Sequence, residues 1–318
     1  MSQVSVPALG SREEKKAFYK NTFRITLPIV LQNFMDAAVS SADVLMLTLV
    51  NQVSVAAANQ ASQVSFTVGN LMFGLSSAAA IMSAQYFGKG DKKTVEKVMG
   101  LSLRLAIVIS LLFTLAAAIF PTQIMTLFSK DAAVIAEGKT YLQAVCLSYV
   151  MGGFAQVYLS VMRSVGRVRM SMMIHSGTVL MNVVLNACFI FGIGPFPELG
   201  ILGVAIATTI ARVLEVMICL WDSQTCQIIK LRVKYLFSRI GSLTKDFMRI
   251  AVPSASNDVI WGLAISVYSA ILGQLSTDIT AASAVANVVR NFGTVICFGT
   301  ASAAAIILGQ SMGDNKLN

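Results

Sequence analysis

An internal repeat constrains this sequence most strongly: residues 24–88 recur at 249–313 with a constant offset of 225 residues and no gap. The two segments are identical at 18 of 65 positions, including a Phe-Gly-x-x-Ser-Ala-Ala-Ala-Ile stretch that begins at Phe73 and again at Phe298. Alanine-rich composition raises the number of identities, but it does not produce an ungapped register. The repeat therefore predicts two related bundles, an organisation that is typical of membrane transporters.

The composition indicates that the chain lies mostly in lipid. Hydrophobic residues make up 56% of it and charged residues only 12%, against about 25% charged residues in a soluble domain. A helix that crosses a bilayer needs roughly 20 apolar residues. The sequence predicts an all-α polytopic membrane protein with eight spans, at about 25–50, 59–86, 99–120, 141–162, 171–193, 200–221, 250–273 and 280–309.

The basic residues follow the topology of these spans. Of 24 Lys and Arg, 20 lie before the first span or in alternate loops, and only Lys130 and Lys139 lie in the other loops. This positive-inside bias predicts a multi-pass protein of the cell (plasma or inner) membrane with a cytoplasmic N-terminus. Because topology accounts for the net charge of +9, we expect no nucleic-acid partner.

Six spans separate equivalent points of the repeat, so both copies enter the membrane in the same direction and the repeat is parallel. We predict a cytoplasmic segment (1–24), a six-span N-lobe (25–221), a cytoplasmic linker (222–249) and the first two spans of a C-lobe (250–318). The amphipathic stretch 228–237 of the linker is expected to lie along the membrane interface. Two complete copies would have twelve spans, so we expect a C-terminally truncated piece of a protein of roughly 450 residues.

Acidic side chains within the predicted spans need a reason, because a carboxylate at the membrane centre costs about 2.5–3.5 kcal/mol on insertion scales. Asp43 lies deep in the first span and suggests a cation or proton site. Asp36 is seven residues earlier, on the same helix face. Glu215 is expected to form a local ion pair with Arg212 near the cytoplasmic edge. Asp258 is interpreted as an interface or gating residue.

Amide side chains concentrate in the N-terminal copy, where they suit either helix–helix contacts or a wet cavity. These residues are Gln32, Asn33, Asn59, Gln60, Gln63, Asn70, Gln156, Asn182 and Asn186. His175 is interpreted as a satisfied interfacial side chain and the five cysteines as core residues. The sequence contains no HExxH, GxSxG or Walker A motif, so neither an enzyme nor an ATP-driven pump is expected.

Several motifs occur in a characteristic order over nearly all of 21–318. They are Leu27-Pro28 with Asp43 fifteen residues after the proline, Gln85-Tyr86-Phe87-Gly88-x-Gly90-Asp91, Arg163-Ser164-x-Gly166, Asn182-x-x-x-Asn186 and Gly203-Val204-Ala205-Ile206-Ala207-Thr208. Together they resemble the multidrug and toxic compound extrusion (MATE) family of cation-coupled antiporters. The resemblance implies twelve helices in two lobes around a V-shaped cavity, and export of bulky, often cationic, amphipathic compounds in exchange for Na⁺ or H⁺.

The resemblance also implies a cation site in the N-lobe. Asp43, Asn182 and Thr208 match three of its positions, and Asn186 stands where the family has a second acid, which favours proton coupling through Asp43. Another subgroup has a glutamate where this chain has Trp261, so no sodium site is expected in the C-lobe.

Further candidates complete this interpretation. Asp36 is added to the cation or proton site. The substrate-cavity candidates are Gln32, Asn59, Gln63, Asn70, Gln156 and Trp261. Pro28 and Pro253 are candidate helix bends. We expect no cofactor, H⁺ or Na⁺ as the coupling ion, the lipid bilayer and small organic cations or amphipathic drugs as partners, and a monomer at full length.

Two alternatives stay open. One is a flippase for lipid-linked oligosaccharides from a related exporter family, although such a cavity usually holds several Arg or Lys, and here few, among them Arg212 and Arg290, lie within spans. The other is a truncated membrane protein that does not transport, such as a scaffold or receptor. The early repeat and the deep position of Asp43 favour the exporter.

Overall fold

Ten helices make up the chain as far as the structure describes it. Their bounds are α1 (Arg12–Thr48), α2 (Gln52–Gly88), α3 (Lys92–Ile119), α4 (Pro121–Phe128), α5 (Ala132–Ser164), α6 (Val168–Phe191), α7 (Ile201–Thr225), α8 (Val233–Phe237), α9 (Gly241–Leu275) and α10 (Thr277–Gly313). This computed structural model describes residues 12–48, 52–128, 131–193, 195–226, 228–237, 241–275 and 277–313. Some side chains within α1, α2, α9 and α10, including those at 40–45, 59 and 265–292, lie outside the description. The all-α prediction is confirmed.

Six of the helices are long and apolar enough to cross a membrane. These segments are Ala56–Gly88, Lys92–Ile119, Ala132–Ser164, Val168–Phe191, Ile201–Thr225 and Gly293–Gly313. They confirm six of the eight predicted spans and make the chain a multi-pass membrane protein. α1 and α9 cover the other two, but both helices include side chains outside the description, so these two spans stay predictions.

The helices extend beyond the predicted spans at the end of the bundle where α2, α5 and α7 end and α3, α6 and α9 begin. We call this end the basic side. α1 begins at Arg12, well before the predicted start at residue 25, because its Arg, Glu and Lys residues are good helix formers. Pro28 and Pro253 therefore lie inside continuous helices, far from the first turn. Each removes one backbone donor, and a bend at each stays a prediction.

The two copies of the repeat pack on each other as symmetry-related pairs. A Cβ built on Gly74 of α2 would lie 2.6 Å from Cα of Ala255 in α9, and one built on Gly299 of α10 would lie 3.1 Å from Cα of Val30 in α1. Gly299 and Ala255 are the repeat equivalents of Gly74 and Val30. The contact of α2 with α9 therefore recurs as a contact of α10 with α1, at equivalent positions of the repeat. This recurrence confirms the parallel repeat.

The copies also approach closely where α2 and α10 end. A Cβ on Gly88 would lie 3.1 Å from Cα of Gly313, and a Cβ on Gly313 would lie 3.0 Å from Cα of Gly88. Each added carbon would also meet the carbonyl oxygen of Gln310 or Gln85 respectively. Gln310 is buried and donates from Nε2 to the carbonyl oxygen of Ser164, at 2.7 Å, where α5 ends. The second copy is thereby joined to the first on the basic side.

The stretch 228–237 packs partly against α3, which the interfacial interpretation did not anticipate. Ile229 is completely buried, and a Cβ on Gly100 would lie 2.8 Å from the backbone carbon of Tyr235. The backbone of Lys230 donates to Glu96 Oε1 at 3.1 Å, and Arg232 Nε lies 2.8 Å from Glu96 Oε2. The connection between α7 and α9 is shorter than the predicted linker (222–249), because α7 continues to Thr225 and α9 begins at Gly241. The predicted bounds of the lobes and linker stay predictions.

The turn between α2 and α3 is closed by Asp91, which caps α3. Its side chain accepts from the backbone N–H of Thr94 at 3.0 Å and from the Thr94 hydroxyl at 2.6 Å. These hydrogen bonds, that of the hydroxyl first, hold the pKa of Asp91 below its usual value. The carboxylate therefore stabilises the helix start in its ionised form.

Replacing Asp91 with alanine is expected to cost about 1 kcal/mol of stability at neutral pH. Because the pKa of Asp91 is lower when folded, the pH-dependent stabilisation is present above the unfolded value and is lost as pH falls through the folded one. The difference in unfolding midpoint between wild type and variant should therefore shrink towards pH 3. Asp246→Ala, at an exposed position of α9, is the control. A difference that grows on acidification would contradict the cap.

Candidate functional site

Three of the predicted cation-site residues meet between α6 and α7, and we call them the amide cluster: Asn182, Asn186 and Thr208. Asn182 Nδ2 donates to Thr208 Oγ1 and Asn186 Nδ2 donates to Asn182 Oδ1, both at 3.4 Å. The two asparagines are four residues apart and so share one face of α6. The helices can approach here because α7 has Gly203, where a Cβ would lie 2.7 Å from that of Phe189.

A cavity of about 40 Å³ extends from this cluster along α6 and α7. It is lined by Thr178, Val179, Asn182, Thr208, Ala211, Arg212 and Glu215. The volume exceeds the roughly 10–15 Å³ that one water molecule requires, and the amide, hydroxyl and carboxylate oxygens in its wall are hard donors that suit water or a small cation. Within the described part of the chain, no group of three or more His, Cys, Asp or Glu could hold a metal ion.

The acid expected to complete this site is Asp43 of α1. The helix passes through this position, but the Asp43 side chain lies outside the description. Its distance from the amide cluster therefore stays a prediction. α1 does pack directly against α6, the helix that carries both asparagines.

Asp36, the second predicted acid of α1, contacts His175 of α6. Its Oδ1 lies 3.0 Å from Nε2 of the imidazole. The other ring nitrogen, Nδ1, lies 2.7 Å from Oε1 of Glu215 in α7. We call Asp36, His175 and Glu215 the His175 triad. It joins α1, α6 and α7 through one imidazole.

Glu215 also forms the ion pair with Arg212 that the sequence predicted. Arg212 Nη1 lies 2.7 Å from Glu215 Oε2, and the Glu215 side chain is 1% exposed. The pair lies well inside α7, ten residues before the helix ends at Thr225, which is about 15 Å at 1.5 Å per residue. Its depth relative to the membrane edge stays a prediction.

The acidic partners of His175 were not predicted from the sequence, which indicated a satisfied interfacial side chain. The residue is 9% exposed and has an acidic partner at each ring nitrogen. The sequence did contain a signal for this pairing. Asp36 and Glu215 lie within predicted spans, where each acid needs a partner, and His175 is the single histidine of the chain.

The predicted substrate-cavity residues differ in burial, and their role stays a prediction. Gln32 is buried in α1 and Gln156 is half-buried in α5, whereas Gln63 of α2 is exposed. Asn70 lies where α2 meets α9, since its Nδ2 would be 2.9 Å from a Cβ on Gly262. Two further candidates complete the set: Trp261, which is half exposed beside Gly262, and Asn59, whose side chain is outside the description.

A second polar cluster, the Asp222 cluster of Tyr158, Arg167 and Asp222, lies on the basic side. Arg167 binds Asp222 through two hydrogen bonds, Nη1 to Oδ2 at 2.7 Å and Nη2 to Oδ1 at 2.9 Å. The hydroxyl of the completely buried Tyr158 donates to Oδ2 at 2.7 Å. These contacts join α5 and the turn that follows it to the end of α7. Because every polar group is paired within protein, we assign the cluster a structural role.

Comparisons with known proteins agree with this architecture. The MatE family model matches residues 28–188. An uncharacterised transporter of Bacillus subtilis, YisQ, is 24% identical over 301 residues, covering 93% of this chain and 65% of the relative. A probable multidrug resistance protein NorM of Thermotoga maritima is 23% identical over 303 residues, covering 95% of this chain and 65% of the relative.

The fold is also similar to that of solved structures. The crystal structure of MATE in complex with MaD3S superposes with a TM-score of 0.85 at 19% identity, covering 93% of this chain and 66% of that chain. The chain thus spans about two thirds of the length of the proteins it matches. The family model covers half of the sequence, and the motifs, the parallel repeat and the fold agree with it. The chain belongs to the MatE family, the multidrug and toxic compound extrusion transporters.

Proposed function

We propose that the protein is a secondary antiporter that exports cationic or amphipathic organic compounds in exchange for protons, with Na⁺ as the alternative coupling ion. Family membership supports transport as the general activity, and NorM of Thermotoga maritima is itself named a probable multidrug resistance protein. We propose further that the protein works as a monomer in the cell membrane, with the basic side in the cytoplasm.

The observation that carries this proposal is the amide cluster and its cavity within a bundle of apolar helices. Amides and hydroxyls in lipid need partners, but nothing in helix packing requires them to line a cavity that is large enough for water. Because α6 packs against α1, these oxygens are suited to hydrate or bind the ion that neutralises Asp43. The cavity is too small for a bulky compound, so the substrate would bind elsewhere, between the two lobes.

The proposed mechanism is a linkage between ion and substrate. A ligand shifts a conformational equilibrium only by its differential affinity for the two states. Asp43 must therefore have different surroundings in the two states, so that neutralising its charge favours release of the substrate. Asn186 stands where the family has a second acid, which leaves Asp43 as the single carboxylate among the positions that match the family's cation site. One proton neutralises it fully, and we therefore favour H⁺.

We expect Asp43→Asn to reduce ion-driven transport by roughly tenfold, within the 5–150-fold range of typical coupling free energies. The measurement is uptake of the cationic dye ethidium into proteoliposomes of the protein as its gene encodes it, driven by an imposed pH gradient. Asp246→Asn is the matched control. A Na⁺ gradient at constant pH tests the alternative ion. Unchanged, pH-sensitive uptake by Asp43→Asn would remove Asp43 from the mechanism.

A flippase for a pyrophosphate-linked lipid is less well supported. Such a substrate needs uncompensated cations, and the charge of Arg212 is already matched by Glu215 at 2.7 Å. The side chain of another span arginine, Arg290, lies outside the description. Scrambling of a fluorescent pyrophosphate lipid by the same proteoliposomes, without transport of ethidium, would favour the flippase.

A further inference from the structure

We propose that the His175 triad is a second proton-carrying site of the N-terminal bundle, besides Asp43, and that it couples protonation to the position of α1. Glu215 of the triad also lines the cavity that extends from the amide cluster. The inference rests on the proposed function for its role in transport. Its chemical content, a proton held between α1, α6 and α7, is independent of transport.

Counting donors and acceptors requires a bound proton. A neutral imidazole donates from one ring nitrogen and accepts at the other, whereas an ionised carboxylate only accepts. Yet both nitrogens of His175 contact carboxylate oxygens, Asp36 Oδ1 at 3.0 Å and Glu215 Oε1 at 2.7 Å. With neither a second ring proton nor a protonated carboxyl group, one contact would place two lone pairs against each other. In this conformation the triad must therefore hold at least one proton more than a neutral imidazole and two ionised carboxylates would carry.

The surrounding charges place this proton on the imidazole. Glu215 is engaged at both oxygens, by His175 and by Arg212, and an ionised carboxylate satisfies both contacts. An imidazolium then donates to Glu215 and to Asp36 at once. The charged groups that face it are Asp36 from α1, Glu215 and Arg212 from α7, and Arg163 from α5, whose charge acts on both carboxylates. Two cations and two anions balance, so the imidazolium adds one net positive charge.

The two acids are held very differently. Glu215 is 1% exposed and anchored by Arg212, whereas the side chain of Asp36 is 41% exposed. If the proton leaves, a neutral imidazole can keep its hydrogen bond to Glu215, but its other nitrogen then presents a lone pair to Asp36. The contact between α6 and α1 becomes repulsive while that between α6 and α7 survives. Deprotonation thus weakens the attachment of α1 selectively.

The position of Asp36 along α1 makes this loss consequential. It lies eight residues after Pro28, which lacks a backbone donor, and seven residues before Asp43. Residues seven apart lie two turns apart on one helix face. A shift of α1 at Asp36 would therefore alter the surroundings of Asp43 as well, and the two sites would respond to the same proton gradient.

The charge state of His175 can be observed directly, because it is the only histidine of the 318-residue sequence. The protein as its gene encodes it, purified through a tag without histidine and labelled with ¹⁵N-histidine, is examined by NMR at pH 7. If that product contains other histidines, His175→Gln identifies the signal of His175. We expect protonation of both ring nitrogens in wild type. In Asp36→Asn we expect the two unequal nitrogen shifts of a neutral imidazole in at least half of the molecules. Asp246→Asn serves as control. A neutral imidazole in wild type would overturn the proposal.

Transport then separates this inference from the proposed function. The pH dependence of ethidium uptake should flatten in His175→Gln and in Asp36→Asn, while Asp246→Asn keeps the wild-type profile. Wild-type protein that shows no ion-driven uptake would refute the antiport proposal and leave the NMR result standing. Wild-type uptake with unaltered pH profiles in both variants would show a merely structural triad and refute the coupling proposed here.

Discussion

Replacing Gly88 or Gly313 with alanine is expected to destabilise the packing of the two copies, with a clear drop in the unfolding midpoint in detergent. The added methyl group would meet backbone atoms of the other copy, the carbonyl oxygen of Gln310 or Gln85. Backbone cannot rotate away as a flexible side chain can. Overpacking of this kind typically costs about 1–3 kcal/mol. Because Gly88 and Gly313 end their helices, the gain that alanine brings to a helix interior offsets little of this cost.

Gly69→Ala on α2 is the matched control, since no atom lies within 4 Å of a Cβ built there. This variant should be as stable as wild type or slightly more stable. Because both glycines occupy one crossing, the combined change should cost less than the sum of the single changes. If Gly88→Ala and Gly69→Ala had the same midpoint, the close crossing of α2 and α10 would be wrong.

Replacing Asp222 with alanine should be the most damaging single change outside the proposed ion site. It leaves the guanidinium of Arg167, whose side chain is 18% exposed, and the buried hydroxyl of Tyr158 without their acceptor. Removing one partner of a buried ion pair typically costs about 3–5 kcal/mol, because the remaining charge stays buried and unpaired. We expect a large fall in the unfolding midpoint and in the yield of monodisperse protein.

The exposed acid Asp246 supplies the comparison, and Asp246→Ala should change the midpoint little. A double variant, Arg167→Met with Asp222→Leu, should recover part of the stability, because it removes the unpaired charge together with its partner. Equal midpoints for Asp222→Ala and Asp246→Ala would show that the Asp222 cluster contributes little to stability.

Much of the fold was predictable because it depends on residues that are close together in the sequence. Apolar runs of sufficient length gave the spans, and the constant offset gave the parallel repeat. The same offset relates the packing pair Gly74–Ala255 to Gly299–Val30. The i, i+4 spacing of Asn182 and Asn186 predicted a shared helix face, which the structure places beside Thr208. Helix geometry and membrane thickness determine these features, and both can be recognised from residues that are close together in the sequence.

The pairings between distant residues were not predictable in the same way. His175 and Asp36 are 139 positions apart, and Tyr158 and Asp222 are 64 apart. No periodicity links them, and only the packing of α1, α5, α6 and α7 brings them together. Stretch 228–237 shows a related difficulty, because its alternating pattern suits a lipid interface and a protein surface equally well. Ile229 is buried through contacts with other helices.

Exchange of ion for substrate requires that each weakens the binding of the other, so substrate binding must release protons from the protein. The protein as its gene encodes it, in weakly buffered detergent solution with a pH-sensitive dye, is saturated with ethidium. We expect release of protons from wild type, reduced release from Asp43→Asn, and unchanged release from Asp246→Asn. Saturable binding of ethidium that displaces neither protons nor Na⁺ at any pH between 6 and 8 would contradict the proposed exchange.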